Sequence, residues 1–407
     1  MPVLTEQQDR SPRVIMPTQM ITVHPEMAAA VWEGLGDEYK YADVEMGQFS
    51  DRTPHVRIEE TLPGVSQAVI LGCISGETAE ESLQTIVKVG HALRHKYPKD
   101  ARSPRANLLH LVLSDYEGRG DKPSLDGNGQ YIDAAELLFA SYAAEQLTAV
   151  GKVDRVTILH PHSIEGVTEF GVPVLPLSYA RDTMRQVQKS RMIAPNEKVG
   201  IVIPDKGGIR LAMELSDITG FPIVARLDKV RMNGKPIVKD AWVCDDCSDM
   251  TLLLADDMLG SGGTIQEDGL EIHKRLQPKR FLAMVGHIKD VNSSPKKIAG
   301  MLNTYMANGR PFLSGFIATN STPYSDRFRG MPGVLITDVA PLMTLAMRAA
   351  LNPTEENQRA LEPHVLSMGS HDEALALLHQ RNPKLTPDYQ SSTSPNGTVR
   401  SETVYVS

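Results

Sequence analysis

Short apolar runs recur along the chain, and longer amphipathic segments separate them. Each run is rich in Val, Ile and Leu at successive positions, which is the pattern of a strand buried on both faces of a parallel sheet. The predicted strands are 68–73, 108–113, 156–159, 199–203, 251–255, 281–285, 316–319 and 334–337. The predicted helices are 80–97, 131–150, 209–219 and 265–276, where apolar residues recur at helical spacing, as Ile132, Leu137, Leu138, Tyr142 and Leu147 do in the second.

The alternation of strands and helices predicts an α/β fold, with mainly parallel sheets flanked by helices. A break near 163–169 indicates two domains, 15–165 and 166–351, preceded by a flexible arm at 1–14. The extension 352–407 is predicted to be disordered at its end, from about Asn382, because that stretch is rich in Ser, Thr, Pro and Asn. Ligands bind beyond the carboxyl ends of strands in such folds, so the residues just after the apolar runs are candidates for a site.

Composition narrows the function classes. The chain has 407 residues, with 42 Lys and Arg against 50 Asp and Glu, which argues against a protein built mainly to coat nucleic acid. No apolar run approaches the roughly 18 residues of a membrane span, and the polar first 13 residues carry no apolar signal core, so we expect a cytoplasmic protein. The only cysteines are Cys73, Cys244 and Cys247, which excludes a secreted disulfide framework. The single C-x-x-C at Cys244 and Cys247 has no second ligand pair nearby and is interpreted as chance or local structure.

The segment 251–264, TLLLADDMLGSGGT, carries the strongest chemical signal. A predicted strand runs into Asp256 and Asp257, which we call the acid pair, and two adjacent carboxylates can accept hydrogen bonds from neighbouring sugar hydroxyls. A loop without bulky side chains follows and leads into a predicted helix, so its backbone N–H groups and the helix dipole can bind a phosphate. This phosphate loop consists of Gly260, Ser261, Gly262, Gly263 and Thr264. The alternative is a turn that only caps the helix through Ser261 or Thr264.

This segment resembles the ribose-phosphate loop of type I phosphoribosyltransferases and of ribose-phosphate diphosphokinases (PRPP synthetases). Further segments match the diphosphokinases in order and approximate spacing between about 21 and 350. They are Phe49-Ser50-Asp51, Arg119-Gly120-Asp121-Lys122, His160-Pro161-His162-Ser163, Pro204-Asp205-Lys206-Gly207-Gly208, Lys229-Val230-Arg231 and Asn320-Ser321-Thr322-Pro323.

The resemblance implies two phosphoribosyltransferase-like domains, an ATP-dependent diphosphotransferase and Mg²⁺ as cofactor. It implies catalytic roles for Lys229 and Arg231, which we place in a mobile loop at 226–239 because that stretch lacks apolar periodicity. It implies small-molecule substrates and a homo-oligomer, a dimer or hexamer, with no nucleic acid or membrane partner. The ATP-binding candidates are Phe49, Asp51, Arg119, Asp121 and His162; the metal candidates are His162, His160 and Asp205; the other pocket candidates are Asp205, Lys206, Gly207 and Gly208.

Each of these motifs also has a plain structural interpretation that its residues leave open. The two histidines could lie in an ordinary polar loop, and the cation pair in a solvated basic loop. Arg119 could form a surface salt bridge, Asp205 could close a strand–turn–helix junction, and Phe49 could belong to a simple hairpin turn.

The chain departs from the family pattern beside the predicted phosphate site. Gly260 stands where the diphosphokinases usually have an acid, and Lys206 stands where a small residue is expected. A wider and less negative pocket would suit an acceptor with a substituted 5′-phosphate, so ADP-ribose is a hypothesis beside ribose 5-phosphate. The remaining alternatives are a type I phosphoribosyltransferase and a catalytically silent regulatory subunit; the presence of both cations and both acids argues against the second.

Overall fold

The computed structural model describes most of the chain between Arg13 and Thr386. The described residues are 13–15, 25–37, 39–41, 44–52, 54–58, 67–94, 106–116, 138–205, 207–232, 235–243, 246–290, 292–367 and 371–386. The candidates Arg119, Asp121, Lys206 and Cys244 lie outside them, as do residues 1–12 of the predicted arm.

The described residues form alternating strands and helices. The strands are β1 (Arg13–Ile15), β2 (Lys40–Tyr41), β3 (Val44–Gln48), β4 (Pro54–Ile58), β5 (Gln67–Ile74), β6 (Leu108–Tyr116), β7 (Arg155–Leu159), β8 (Val174–Leu177), β9 (Val199–Ile203), β10 (Ile223–Met232), β11 (Lys235–Val243), β12 (Thr251–Leu259), β13 (Arg280–Ile288), β14 (Gly315–Thr319) and β15 (Val334–Thr337). The helices are α1 (Pro25–Leu35), α2 (Ala79–Arg94), α3 (Phe139–Glu145), α4 (Ile164–Thr168), α5 (Ala180–Ser190), α6 (Ile209–Thr219), α7 (Gly263–Leu276), α8 (Ser294–Leu302), α9 (Ala340–Leu351), α10 (Glu355–Leu361) and α11 (His371–Arg381). One π-helical turn, Gln146–Val150, continues α3.

These elements divide between two units. Among the described residues, the first unit contains those up to Leu177 together with Ala340–Leu366, and the second contains Ser178–Val339 and those from Ser367 onward. The chain therefore passes from the first unit to the second after Leu177, downstream of the predicted break at 163–169, and returns to the first unit for α9 and α10.

The first unit is built on a parallel sheet with the strand order β2-β1-β5-β6-β7-β8. Its central strands β5 and β6 are buried along nearly their whole length, because helices cover the sheet. The core contains α2 residues such as Leu83 and Ile86, packed with Leu111 and Ile158 of the strands. The strands β3 and β4 form a separate antiparallel hairpin.

The second unit contains a sheet with the order β11-β10-β9-β12-β13-β14-β15. Its strands are parallel from β10 to β15, and only β11 runs antiparallel, as the partner of β10 in a hairpin. The predicted α/β fold with parallel sheets and flanking helices is thus confirmed. The predicted mobile loop at 226–239 is wrong, since its described residues, 226–232 and 235–239, belong to the two paired strands β10 and β11. No helix in the described part of the chain is long and apolar enough to cross a membrane.

Candidate active site

The carboxyl ends of the parallel strands of the second unit meet at one edge of its sheet. The strands β9, β12, β13 and β14 all end there, because they run in the same direction side by side. Polar residues follow or occupy each of these ends, at the edge where ligands bind in open α/β sheets. This edge is the candidate active site.

The acid pair lies inside β12, near its end. The strand continues through Asp256 and Asp257 to Leu259, and its burial falls from complete to partial at the two acids. The amide of Asp257 donates a hydrogen bond of 3.0 Å to Oδ1 of Asp256. Both carboxylates are therefore held by a regular strand, which fixes their position at the sheet edge.

The phosphate loop follows directly. Gly262 has φ 79° and is the N-cap residue of α7, which begins at Gly263, and no side chain accepts a hydrogen bond as its cap. Ser261 is exposed. The N-cap residue is a glycine, so the amides at the start of α7 have no cap from its side chain, and phosphate binding by these amides stays a prediction. A lysine that sequence reasoning missed lies beside the loop: Cβ of Lys297 is 3.7 Å from the position that a Cβ on Gly262 would occupy.

The loop after β9 is closed by Asp205. Its Oδ1 accepts the amide of Gly207 at 2.9 Å and that of Gly208 at 3.3 Å. A Cβ on Gly208 would lie 2.8 Å from Cδ of Pro204, so this glycine is needed for the close turn into α6. Asp205 thus closes a strand–turn–helix junction, which was the alternative to a ligand role.

A hydrogen-bonded polar layer joins β13, β14 and β15 at the same edge. The Nδ1 atom of His287 and Oγ of Ser321 are 2.8 Å apart, and Oγ1 of Thr322 donates to the carbonyl of Ile288 at 2.9 Å. Asn320 donates to Asp338 at 2.7 Å through Nδ2. The segment 320–323, which was predicted as a site motif, therefore holds the ends of these strands together through hydrogen bonds.

A buried tyrosine, Tyr179, lies near the charges of the acid pair and of the partly buried Glu214, and neither Tyr179 nor Glu214 was predicted from the sequence. Tyr179 is fully buried, and burial together with the charges of Asp257, Glu214 and Asp256 raises its pKa well above the usual value. Burial also raises the pKa of Glu214 on α6 to about 7, although a hydrogen bond with Ser178 opposes the change. The signal for Tyr179 was its place directly before the apolar face of α5, where Ala180, Met184 and Val187 recur.

The predicted catalytic cations lie on β10. Lys229 is paired with Val238 of β11, and Arg231 with Pro236. The register of the hairpin shifts opposite the step from Asp228 to Lys229, where Lys239 of β11 is the extra residue, so the β-bulge lies in the partner strand.

The remaining described candidates lie in the first unit. Phe49 is 60% exposed at the tip of the β3–β4 hairpin, with its ring centroid 5.0 Å from that of His55, and Asp51 follows it in the turn. His160 has φ 44° immediately after β7 and donates its amide to the carbonyl of Leu177 at 2.6 Å, while His162 is exposed.

The candidate metal ligands do not form a dense cluster. Within the described ranges, no group of three or more His, Cys, Asp or Glu side chains comes close enough to hold an ion. His160 and His162 belong to one unit and Asp205 to the other. A metal ion held mainly by substrate oxygens and water needs few protein ligands, and Mg²⁺ binds in this way.

The chain is similar to several known proteins, although no family model matches it. The chain is 25% identical over 336 residues to a ribose-phosphate pyrophosphokinase of Haemophilus ducreyi, covering 81% of this chain and 93% of that protein. It is 26% identical over 267 residues to the enzyme of the same name from Clostridium tetani, covering 60% of this chain and 74% of that protein. The crystal structure of phosphoribosylpyrophosphate synthetase from Mycobacterium smegmatis matches with a TM-score of 0.65 and 21% identity, covering 84% of this chain and all of that one.

These relatives confirm the resemblance that the motifs indicated. The chain is similar to proteins named ribose-phosphate pyrophosphokinase, and this similarity confirms the predicted enzyme class, a diphosphotransferase. The structural neighbour confirms the fold.

Proposed function

We propose that the protein transfers the β,γ-diphosphate of Mg-ATP to the anomeric hydroxyl of a ribose 5-phosphate group. The anomeric oxygen forms a bond to the β-phosphorus, the bond from that phosphorus to the oxygen of the α-phosphate breaks, and AMP leaves. The proton of the anomeric hydroxyl passes to solvent. The observation that carries this proposal is the acid pair on β12 followed at once by a phosphate loop without a side-chain cap, in a chain related to ribose-phosphate pyrophosphokinases.

The acceptor would bind at the sheet edge of the second unit. Asp256 and Asp257 would accept hydrogen bonds from the ribose hydroxyls, and the amides of the phosphate loop would bind the 5′-phosphate at the N-terminus of α7. Lys297, beside Gly262, would add positive charge to that phosphate site. The loop of Asp205, Gly207 and Gly208 would form the neighbouring wall, because its tight turn exposes backbone close to the strand end.

Lys229 and Arg231 would stabilise the negative charge that develops during transfer. Positioning and neutralising phosphate charge supplies most of the catalysis in phosphoryl transfer, and cations are the usual means. Since both residues lie on a paired strand, we propose that they act from the β10–β11 hairpin and not from an irregular loop.

ATP would bind to residues of the first unit of one subunit and to residues of a neighbouring subunit in an oligomer. The exposed ring of Phe49 offers a surface on which adenine can stack, and Asp51 lies two residues beyond it. Arg119, Asp121 and His162 are the proposed contacts to the nucleotide. Bound Mg²⁺ would neutralise the phosphates of ATP and orient them; because it prefers oxygen ligands, we propose that His160 and His162 contact its waters or the phosphates. A homo-oligomer is proposed because the exposed hairpin tip suits a site shared between subunits.

The acceptor is proposed to be ribose 5-phosphate or ADP-ribose, giving PRPP or ADP-ribose 1-diphosphate. Gly260 and Lys206 support the larger acceptor, since a glycine in place of an acid leaves room and removes negative charge beside a substituted phosphate. A phosphoribosyltransferase would use the same acid pair and loop with a nitrogenous base in place of ATP.

The test is AMP release measured with Mg-ATP and either acceptor. Release that depends on ribose 5-phosphate or ADP-ribose supports the proposal and identifies the acceptor. No release with either, together with diphosphate release from PRPP and a base, would support the phosphoribosyltransferase alternative; a protein inactive in both assays would be the silent subunit.

The variant Lys229→Ala tests the role of the hairpin. We expect the turnover number to fall by roughly 10²-fold or more with little change in the KM for ATP, because the cation acts mainly on transition-state charge. Lys235→Ala, on the partner strand of the same hairpin, is the matched control and should retain the wild-type turnover. A Lys229→Ala enzyme as fast as the wild type would contradict the assignment.

A further inference from the structure

The ring of Tyr179 occupies a slot that exists only because residue 286 is glycine. A Cβ on Gly286 would lie 2.4 Å from Cε1 of Tyr179 and 2.6 Å from both Cζ and the hydroxyl oxygen. Tyr179 is fully buried there, and its ring meets that of His287 edge-on with centroids 6.0 Å apart. The phenol is therefore held tightly against the backbone of β13.

This slot lies beside Asp257. The register of the sheet pairs Asp256 with Val285 and Met258 with His287, so Asp257 and Gly286 are the neighbours between those two pairs. Neighbouring residues on adjacent strands point to the same face, with Cβ positions about 5 Å apart. The hydroxyl of Tyr179, close to the empty Cβ position of Gly286, is thus brought next to Asp257 on one face of the sheet.

The phenol keeps its proton in this place. Burial and the nearby charges of Asp257, Glu214 and Asp256 raise the pKa of Tyr179 well above its usual value, so the group is neutral near pH 7 and can donate a hydrogen bond. A carboxylate can only accept, and a hydrogen bond to a charged acceptor is among the stronger ones.

We infer that the Tyr179 hydroxyl is a positioning group for Asp257, holding that carboxylate in the orientation that binds the acceptor's ribose. The inference rests on the proposed function, because it assigns a role in that same site. It explains why a large aromatic side chain and a glycine are matched behind the acid pair. The proposed sugar-binding site then includes a buried side chain, that of Tyr179, which no sequence motif indicated.

The variant Tyr179→Phe tests this inference, with Tyr116→Phe as the matched control. Both residues are buried tyrosines; the hydroxyl of Tyr116 donates to the carbonyl of Ala140 at 2.6 Å, in the other unit. We expect Tyr179→Phe to lower kcat/KM for the acceptor by roughly tenfold or more while the KM for ATP stays within about twofold. Tyr116→Phe should leave both values at the wild-type level.

The outcomes separate the inference from the proposed function. If the wild type releases AMP with an acceptor and Tyr179→Phe has wild-type kcat/KM for it, the inference is overturned and the function stands. If the wild type shows no acceptor-dependent release, the function fails. An equal loss of acceptor and ATP parameters in Tyr179→Phe, together with a lower melting temperature than that of Tyr116→Phe, would indicate a merely structural role and would also overturn the inference.

Discussion

Replacement of Gly286 by alanine adds a single methyl group, but we expect it to destabilise the second unit strongly. The new Cβ would lie 2.4 to 2.6 Å from three atoms of Tyr179, whereas ordinary contact begins at 3.4 Å. One of the two must therefore retreat by about 1 Å. Tyr179 is fully buried and Gly286 lies within a strand, so neither has free space to move into.

Overpacking of this kind costs about 1–3 kcal/mol. For a unit of this size, each kcal/mol lowers the melting temperature by about 2–4 °C, so we expect a fall of roughly 2–12 °C for the transition of the second unit. The same displacement would move the Tyr179 hydroxyl away from Asp257, and acceptor kinetics should deteriorate as in Tyr179→Phe.

Thermal unfolding of Gly286→Ala, compared with Gly300→Ala, measures this cost. A Cβ on Gly300 of α8 meets nothing within 4 Å, and alanine favours a helix, so the control should be unchanged or slightly more stable. The double variant Tyr179→Ala/Gly286→Ala completes the test: with the ring gone, the alanine at 286 should add almost no further loss to that of Tyr179→Ala. Additive losses, or a Gly286→Ala protein as stable as the wild type, would refute the reasoning.

Two further predictions follow from pKa changes in the second unit. The pKa of Glu214 is raised to about 7 by burial, so the folded state holds this proton more tightly than the unfolded one and loses stability as pH rises from about 4.5 through 7. Glu214→Gln should therefore be more stable than the wild type by about 2 kcal/mol at pH 8 and no more stable at pH 5, measured by urea unfolding; a constant difference would contradict this. Burial alone would raise the pKa of Glu197, but hydrogen bonds from Thr251, the amide of Ala194 and Arg280 hold it below 4.5. The stability that the ionised Glu197 side chain contributes to the fold is therefore present above pH 4.5 and is lost as the pH falls further. Glu197→Gln should thus be less stable than the wild type at pH 7 by about 1–2 kcal/mol, with the gap closing towards pH 3, and an undiminished gap there would show that the ion pair with Arg280 is not its source.

The strands at the centre of each sheet could be predicted from the sequence, as could the edge strand β15, but other edge strands could not. The strand β9 was predicted with its observed bounds, and the central strands β5, β6 and β12 were recognised because both of their faces are buried and apolar. The edge strand β8 was missed, since it reads VLPL and is only partly buried. Edge strands pack on fewer neighbours, so their sequences carry a weaker apolar signal.

Helix α9 shows a second reason for a missed element. It reads APLMTLAMRAAL, which is apolar around most of its circumference and lacks the contrast between faces that marks a surface helix. The hairpin of β10 and β11, by contrast, was predicted to be a loop because the stretch contains Lys, Arg, Gly and Pro and has little apolar periodicity. The backbone hydrogen bonds between the two paired strands keep this stretch extended despite a composition that is typical of a loop.

The parts of the site formed by residues adjacent in the sequence could be predicted. The parts that depend on the register of the sheet could not. The acid pair and the phosphate loop are contiguous, so their meeting follows from a strand that leads into a helix. Tyr179 lies 78 positions before Asp257 in the numbering of the chain, and only the pairing of β12 with β13 brings it to that carboxylate. No local pattern could have indicated this.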